Sequence, residues 1–275
     1  MLGKLIKNEF KATYKMFVML FCSLVVLTLL TRFCIYIPFD NTVFKIMTVI
    51  LIVVYVVAMA FMSLLSLVLV IKRFYQNMLR DQGYLSHTLP VKMWQQLVAK
   101  MFTYWVWIIT SILALFVSLF VFFVGKPKFT ENMNTFFKAF NNAISYPKVP
   151  LLLVLVTVLV LMQILVNILN FFAALSLGQI FVKHKILGAI VFYFLLNYIM
   201  SFVVSGVMLI FPDFTDKINN IDTRITNAAN VSQAIEVVAN PMIAYFLIMI
   251  LMEIVLGVIY FAISNYMLSK KLNLE

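Results

Sequence analysis

Residues 46–71 read IMTVILIVVYVVAMAFMSLLSLVLVI, a stretch that carries no charged side chain. An α-helix rises about 1.5 Å per residue, so roughly 20 apolar residues cross the hydrocarbon of a bilayer. Backbone groups find no water there, and the stretch lacks the period-two alternation of a barrel strand. The stretch therefore predicts a membrane-spanning helix.

Five further stretches are also long and mainly apolar, and 64% of the chain is hydrophobic, against about 45–50% in soluble domains. The polar segments between the stretches are too short to bury a core of their own. The sequence therefore predicts an all-α polytopic membrane protein, a single domain over residues 1–275. Its six predicted spans are residues 16–38, 46–71, 101–124, 150–182, 186–211 and 242–267.

The net charge of +11 is placed beside the apolar stretches and not on a compact basic face. This pattern favours contact with lipid headgroups and argues against a nucleic-acid partner. Six spans put both ends of the chain on one side of the membrane. Thirteen of the 21 Lys and Arg residues fall on that side and eight on the other, so the positive-inside rule predicts that both termini are cytoplasmic.

The N-terminal residues 1–15 have an amphipathic pattern. Leu2, Ile6, Phe10 and Tyr14 recur every four residues, and lysines occupy the opposite side. A helix of this kind lies in the membrane interface, with its apolar face toward the acyl chains. The alternative is a positive flank that only orients the first span.

Two connectors are predicted to lie outside the cell. In the connector 125–148, an apolar stripe indicates a second interfacial helix, and the connector 212–241 is acidic and rich in Asn. We expect the latter to hold short helices over the outer face, such as residues 231–238. The stripe in the first connector consists of Phe129, Met133, Phe136, Phe140 and Ile144.

The cytoplasmic connector 72–100 contains a glycine and a proline that favour the end of one helix and the start of the next. Gly83 offers a helix stop or a turn with positive φ. Pro90 pushes the residues before it toward extended geometry and can begin the next helix. Local pattern alone leaves two interpretations open, a docking surface and an ordinary connector. The candidate docking residues are Arg80, Asp81, Gly83, Tyr84, His87 and Pro90.

Polar side chains recur at helical spacing inside the later spans. Amides in lipid need hydrogen-bond partners, and small residues let helices approach closely. The offsets in span four place its three amides on one side together with Ala174 and Gly178. Both helix packing and the lining of a translocation path remain open. The candidates are Gln163, Asn167, Asn170, Asn197, Ser201 and Glu253.

Two charged residues lie within the apolar stretches. Glu253 falls near the middle of span six, where an ionised side chain costs roughly 2.5–3.5 kcal/mol. A structural hydrogen bond, a role at a cavity or subunit interface, and a proton relay are all open for it. Arg32 lies near the outer end of span one and is expected to snorkel outward, because a pair with Glu253 is poorly matched in depth.

Several enzyme classes lack their sequence signals in this chain. It has no Gly-x-x-x-x-Gly-Lys-[Ser/Thr] loop to cradle ATP phosphates, no His-Glu-x-x-His pair and no Gly-x-Ser-x-Gly elbow. His87 and His184 lie in connectors without a neighbouring cluster of Cys or carboxylates. We therefore expect no catalysis and no cofactor bound by this chain.

Two stretches resemble the small six-span permease subunits of ABC-2 type transporters from Gram-positive bacteria. They are MLGKLIKNEFKAT at residues 1–13, and DQGYLSHTLPVK at residues 81–92 followed by Lys100. The resemblance implies a separate ATPase subunit that binds ATP and Mg²⁺, a second permease copy or paralogue, export, and the plasma membrane of a bacterium. It also implies that residues 76–96 are the coupling element pressed into the ATPase.

The leading hypothesis is therefore the membrane subunit of an ATP-driven exporter, whose power comes from its partner ATPase. An alternative is a stand-alone membrane protein, such as a bacteriocin-immunity or channel-like factor. A membrane-embedded enzyme is a third hypothesis and would depend on Glu253. The small outer region departs from larger exporters of this type and leaves the cargo open, whether peptide, lipid, antibiotic or glycan.

Overall fold

The protein is all-α, as predicted. The computed structural model describes residues 2–36, 42–79, 91–181, 183–210, 226 and 230–270, and within those ranges it contains no β-strand. Its helices are α1 (Leu2–Tyr36), α2 (Thr42–Leu79), α3 (Met93–Phe123), α4 (Pro127–Ile144), α5 (Val149–Gly178), α6 (Lys185–Ile210) and α7 (Val231–Lys270).

Every helix but α4 is long and apolar enough to cross a membrane, which makes six spans and confirms a polytopic membrane protein. The helices are longer than the apolar stretches that predicted them. With 35, 38 and 40 residues, α1, α2 and α7 measure about 52–60 Å at 1.5 Å per residue. The hydrocarbon layer is about 30 Å thick, so these helices continue past it.

Residues 2–15 are the first turns of α1, which runs without interruption into the first span. Lys4, Lys7 and Lys11 are exposed, as the amphipathic pattern predicts, and on the apolar side Leu2, Ile6 and Phe10 are half-buried whereas Tyr14 is exposed. Its placement in the membrane interface stays a prediction.

The short helix expected at residues 231–238 is the beginning of α7 and not a separate element. α7 continues through Pro241 into the last span. A proline inside a helix removes one backbone hydrogen bond and can kink the axis, but the flanking turns here remain helical.

The helices form two compact units. The first holds α1, α2 and α3, the second holds α5, α6 and α7, and the boundary falls within α4, after Met133. The expected single domain depends on how the units associate, and it stays a prediction.

In the first unit, α1 and α3 run parallel and α2 runs antiparallel to both. Side-chain contacts between α1 and α3 keep a nearly constant offset along the two helices. These contacts join Glu9 to Lys100, Thr13 to Trp107, Thr28 to Ser118, and Arg32 to Val121. The first and third spans therefore start on the same side of the membrane, which we call the N side, and end on the opposite, far side.

In the second unit, α5 packs against both α6 and α7. α5 and α6 form an antiparallel hairpin in which the rings of Phe171 and Tyr193 stack with their centroids 4.6 Å apart. Gly257 of α7 faces Val166 and Leu169 of α5, which lets these two helices approach closely.

Candidate functional site

The six candidate docking residues lie outside the described residues, so their role stays a prediction. They are Arg80, Asp81, Gly83, Tyr84, His87 and Pro90. The structure does describe the two helices that lead into and out of this connector. α2 ends at Leu79 and α3 begins at Met93, so most of the segment 72–100 is helical.

The helix ends beside the connector are firmly packed. Phe74 and Met78 near the end of α2 and Leu97 near the start of α3 are completely buried. Buried side chains of this size each contribute about 1.5–3 kcal/mol to packing. A displacement of the connector would therefore move packed helices and not frayed ends.

A buried ion pair lies at this same end of the first unit. Lys100 of α3 is only 3% exposed, and its ammonium group donates a hydrogen bond to the carboxylate Oε1 of Glu9 on α1. The two residues are 91 positions apart in the chain. An isolated buried charge is very costly, so each side chain depends on the other.

A polar cavity of about 250 Å³ opens beside the pair, between α1, α2 and α3. Glu9 Oε2 is buried and has no protein hydrogen-bond partner among the described residues. The size and polarity of the cavity suit ordered water, which is the usual partner of such an atom. The polar residues of its wall are Asn8, Glu9, Asn77, Gln96 and Lys100.

A second cation lies near the pair. Arg73 of α2 is close enough to act electrostatically on Lys100, and its Nε is buried without a hydrogen-bond partner in the described part of the chain. With Glu9 as the anion, these three residues carry a net charge of +1. Glu9, Lys100 and Arg73 therefore form a cluster of charged side chains between three helices at the N-side end of the first unit. We call this cluster the Glu9–Lys100 site.

Sequence patterns did not single out the Glu9–Lys100 site. Glu9 looked like part of an amphipathic N-terminus and Lys100 like a positive flank. A signal was nevertheless present, because Glu9 lies in the first stretch that resembles ABC-2 permeases and Lys100 follows the second.

Four of the six polar candidates within the spans do not gather into one site. Gln163, Asn167 and Ser201 are exposed and Asn197 is half-buried. Asn167 donates to the carbonyl of Gln163 and Asn197 to that of Tyr193, each within its own helix and each at 2.8 Å. These amides are partly satisfied by their own helices, and their role stays a prediction.

The other two candidates lie on α5 and α7, two helices that pack against each other. Asn170 of α5 is 3% exposed, and Glu253 of α7 is half-buried on the same helical face as Gly257 and Tyr260. Asn170 Oδ1, Glu253 Oε2 and the Tyr260 hydroxyl are buried without a hydrogen-bond partner among the described residues. Glu253 and Tyr260 are close enough to interact electrostatically. The second unit thus holds three buried polar atoms without a described partner; Asn170 and Glu253 were candidates from the sequence, and Tyr260 was not.

Arg32 has a clear structural role. Its guanidinium donates to the backbone carbonyl of Val121, in the last turn of α3, where carbonyls lack partners within the helix. Gly125 follows at φ +89°, and a Cβ there would lie 3.4 Å from Arg32 Nη2. Arg32 therefore caps a helix end on the far side.

A buried chain of hydroxyl groups joins the three helices of the first unit. Ser118 of α3 lies 2.8 Å from Thr28 Oγ1 on α1 and 2.6 Å from the hydroxyl of Tyr55 on α2. Thr28 donates to the carbonyl of Leu24, so a consistent set of bonds has Tyr55 donating to Ser118 and Ser118 to Thr28. Polar residues at such positions hold membrane helices together.

Replacing Ser118 by alanine is expected to lower the free energy of unfolding by about 1–2 kcal/mol, because Thr28 and Tyr55 lose their shared partner in an apolar environment. Titration of the detergent-solubilised protein with a denaturing detergent, followed by circular dichroism, measures the loss. Ser23→Ala is the matched control, because Ser23 is exposed and, among the described residues, donates to the Leu20 carbonyl of its own helix. Equal losses for the two variants would contradict the network's role.

Comparison of this chain with models of protein families, with curated proteins and with solved structures gave no match.

Proposed function

We propose that this chain is the membrane subunit of an ATP-driven exporter of the ABC-2 type, with both termini in the cytoplasm of a bacterial cell. The six membrane-spanning helices are compatible with this function. The observation that carries the proposal is the Glu9–Lys100 site, because it joins the two parts of the sequence that resemble such permeases. It does so beside the connector that the resemblance assigns to coupling.

In the proposed mechanism, residues 76–96 dock into a partner ATPase, which supplies the energy of ATP hydrolysis. Movement of the ATPase displaces the connector, and α2 and α3 carry the displacement along the membrane normal. A continuous helix can transmit a displacement along its axis, and α2 continues for 38 residues. Rocking of helix bundles around a cavity would then expose the cargo alternately to each side, with a second permease copy or a paralogue completing the path.

In this mechanism, the Glu9–Lys100 site connects the three helices of the first unit at their N-side ends. It ties the start of α1 to the start of α3, and Arg73 and Asn77 bring the end of α2 to the same place. A displacement of either flank of the connector therefore reaches all three helices of the first unit together.

The first test is purification of the tagged protein from native membranes in a mild detergent. We expect a nucleotide-binding chain to co-purify in fixed stoichiometry. Purified protein that turns over nucleotide or drives uphill transport without any companion would overturn the proposal. A pure, inactive chain without a companion would favour a stand-alone immunity or channel-like protein and would also count against it.

The second test addresses the coupling connector. We expect Arg80→Glu, Asp81→Arg and Gly83→Val each to reduce recovery of the companion chain, or ATP hydrolysis by the complex, by at least tenfold while membrane insertion is unchanged. Lys128→Glu, in a different connector, is the matched control and should behave like the unaltered protein. Normal hydrolysis by all three connector variants, or labelling of residues 76–96 from outside intact cells, would contradict the coupling role.

A further inference from the structure

The helix α4 has one strongly apolar face that the described part of the chain leaves largely uncovered. Steps of four, three, four and four residues place its apolar side chains on a single stripe. Phe136 and Phe140 on this stripe, and Phe137 on its edge, are exposed by 56%, 36% and 54%. The full stripe is Phe129, Met133, Phe136, Phe140 and Ile144.

The opposite face of α4 is polar throughout. Helical geometry at 100° per residue puts it half a turn away from the phenylalanines. Every residue of this face is exposed. Its members are Glu131, Asn134, Lys138, Asn141 and Asn142. The helix is thus divided lengthwise between an apolar and a polar half, as helices at a membrane surface are.

The connections of α4 hold it close to the membrane. α3 ends at Phe123 and α4 begins at Pro127, and only residues 145–148 separate the end of α4 from α5. Both neighbours are long and apolar enough to span the membrane, so each end of α4 is tied to the end of a membrane-spanning helix.

The apolar stripe also continues an exposed apolar surface of a membrane-spanning helix. The ring of Phe129 lies 5.9 Å from that of Phe120 and 5.7 Å from that of Phe123, centroid to centroid, in the last turns of α3. Phe120 and Phe123 are themselves exposed on a membrane-spanning helix. The apolar face of α4 therefore begins where the exposed apolar side of α3 ends.

The charges around α4 fit a lipid surface. Within residues 125–148, Lys126, Lys128 and Lys138 oppose the single acid Glu131, while the ammonium group of Lys148 lies 3.2 Å from Glu236 Oε1 on α7. Lys126 Nζ lies 4.7 Å from the ring centroid of Phe122, which places this cation at the end of α3. Basic residues beside an inserted apolar face are attracted to anionic headgroups.

We infer that α4 lies flat in the far-side leaflet, with its phenylalanine stripe among the acyl chains and its polar face in water. The partner of this surface is the lipid bilayer itself. The inference depends on the six-span fold and on α4, and it does not require the exporter proposal.

Site-directed spin labelling of the full chain in lipid vesicles containing phosphatidylcholine and phosphatidylglycerol tests the inference. In a background with Cys22→Ser and Cys34→Ser, nitroxides are attached after Phe136→Cys, Phe140→Cys or, as the matched control, Lys138→Cys. Molecular oxygen concentrates in acyl chains and a nickel chelate in water. We expect the oxygen-to-nickel accessibility ratio to be at least fivefold higher at positions 136 and 140 than at 138.

Two outcomes would overturn the inference. Equal accessibility ratios at the three positions would show that α4 does not distinguish lipid from water. Protection of positions 136 and 140 from both reagents would show that protein covers the stripe. The label at position 138 replaces an exposed residue, so it reports on a folded chain even if a phenylalanine variant folds poorly.

Discussion

Lys100→Met is expected to destabilise the protein by about 3–5 kcal/mol, because it leaves the carboxylate of Glu9 buried without its cation. Methionine fills a similar volume, so the loss of charge and not the loss of packing dominates the effect. The free energy of unfolding in detergent micelles, from circular dichroism during denaturant titration, measures it.

Two further variants separate the ion pair from its surroundings. Lys11→Met removes an exposed lysine and should change the free energy by less than about 0.5 kcal/mol. The double variant Glu9→Met with Lys100→Met should recover most of the lost stability, because replacing a whole buried pair by apolar residues is often neutral or stabilising. A Lys100→Met loss no larger than that of Lys11→Met, or a double variant as unstable as the single one, would contradict the assignment.

The double variant also separates stability from function. A protein that folds without the two charges still lacks the ion pair that connects the N-side ends of α1 and α3. If the Glu9–Lys100 site transmits motion from the connector, the double variant should insert and bind its companion chain, but the complex should hydrolyse ATP more slowly than the complex with the unaltered protein. An unchanged rate of ATP hydrolysis would limit the pair to a structural role.

The membrane-spanning fold could be predicted from sequence because hydropathy is a local property. A run such as residues 46–71 has no other stable arrangement in a bilayer than a helix. The ends of the helices were less accessible to prediction. Residues 2–15 and 231–240 are polar enough to look like separate segments, but helical backbone continues through them into the adjacent spans.

The contacts between helices could be predicted only in part. Spacing placed Asn170, Ala174 and Gly178 together, and all three are buried. The same spacing included Gln163 and Asn167, which are exposed, because a helical face does not reveal how far along it a neighbour extends. The Glu9–Lys100 pair was beyond this reasoning, since no local pattern relates residues 91 positions apart.

Gly178→Ala is expected to have the second large effect, at the turn between α5 and α6. A Cβ on Gly178 would lie 2.6 Å from the backbone nitrogen of Ala189 and 2.8 Å from its Cα. Backbone atoms cannot rotate aside as a flexible side chain can, so the two helices must separate. Overpacking of this kind costs about 1–3 kcal/mol, and we expect the upper end of that range.

The chain supplies a graded series of glycines for this test. A Cβ on Gly257 would lie 3.3 Å from the Cγ2 of Val166 and 3.8 Å from the Cδ1 of Leu169, and a Cβ on Gly206 would meet no described atom within 4 Å. Alanine at position 206 should be neutral or slightly stabilising, because alanine is about 0.5–1 kcal/mol better than glycine inside a helix. Alanine at position 257 should be intermediate, since the valine can shift by a few tenths of an ångström. Denaturant titration of the three variants should therefore rank their stabilities as 206, then 257, then 178. If alanine at position 206 lowered the free energy of unfolding as much as alanine at position 178, the close contact between α5 and α6 would not explain the destabilisation. That result would contradict the packing described for the α5–α6 hairpin.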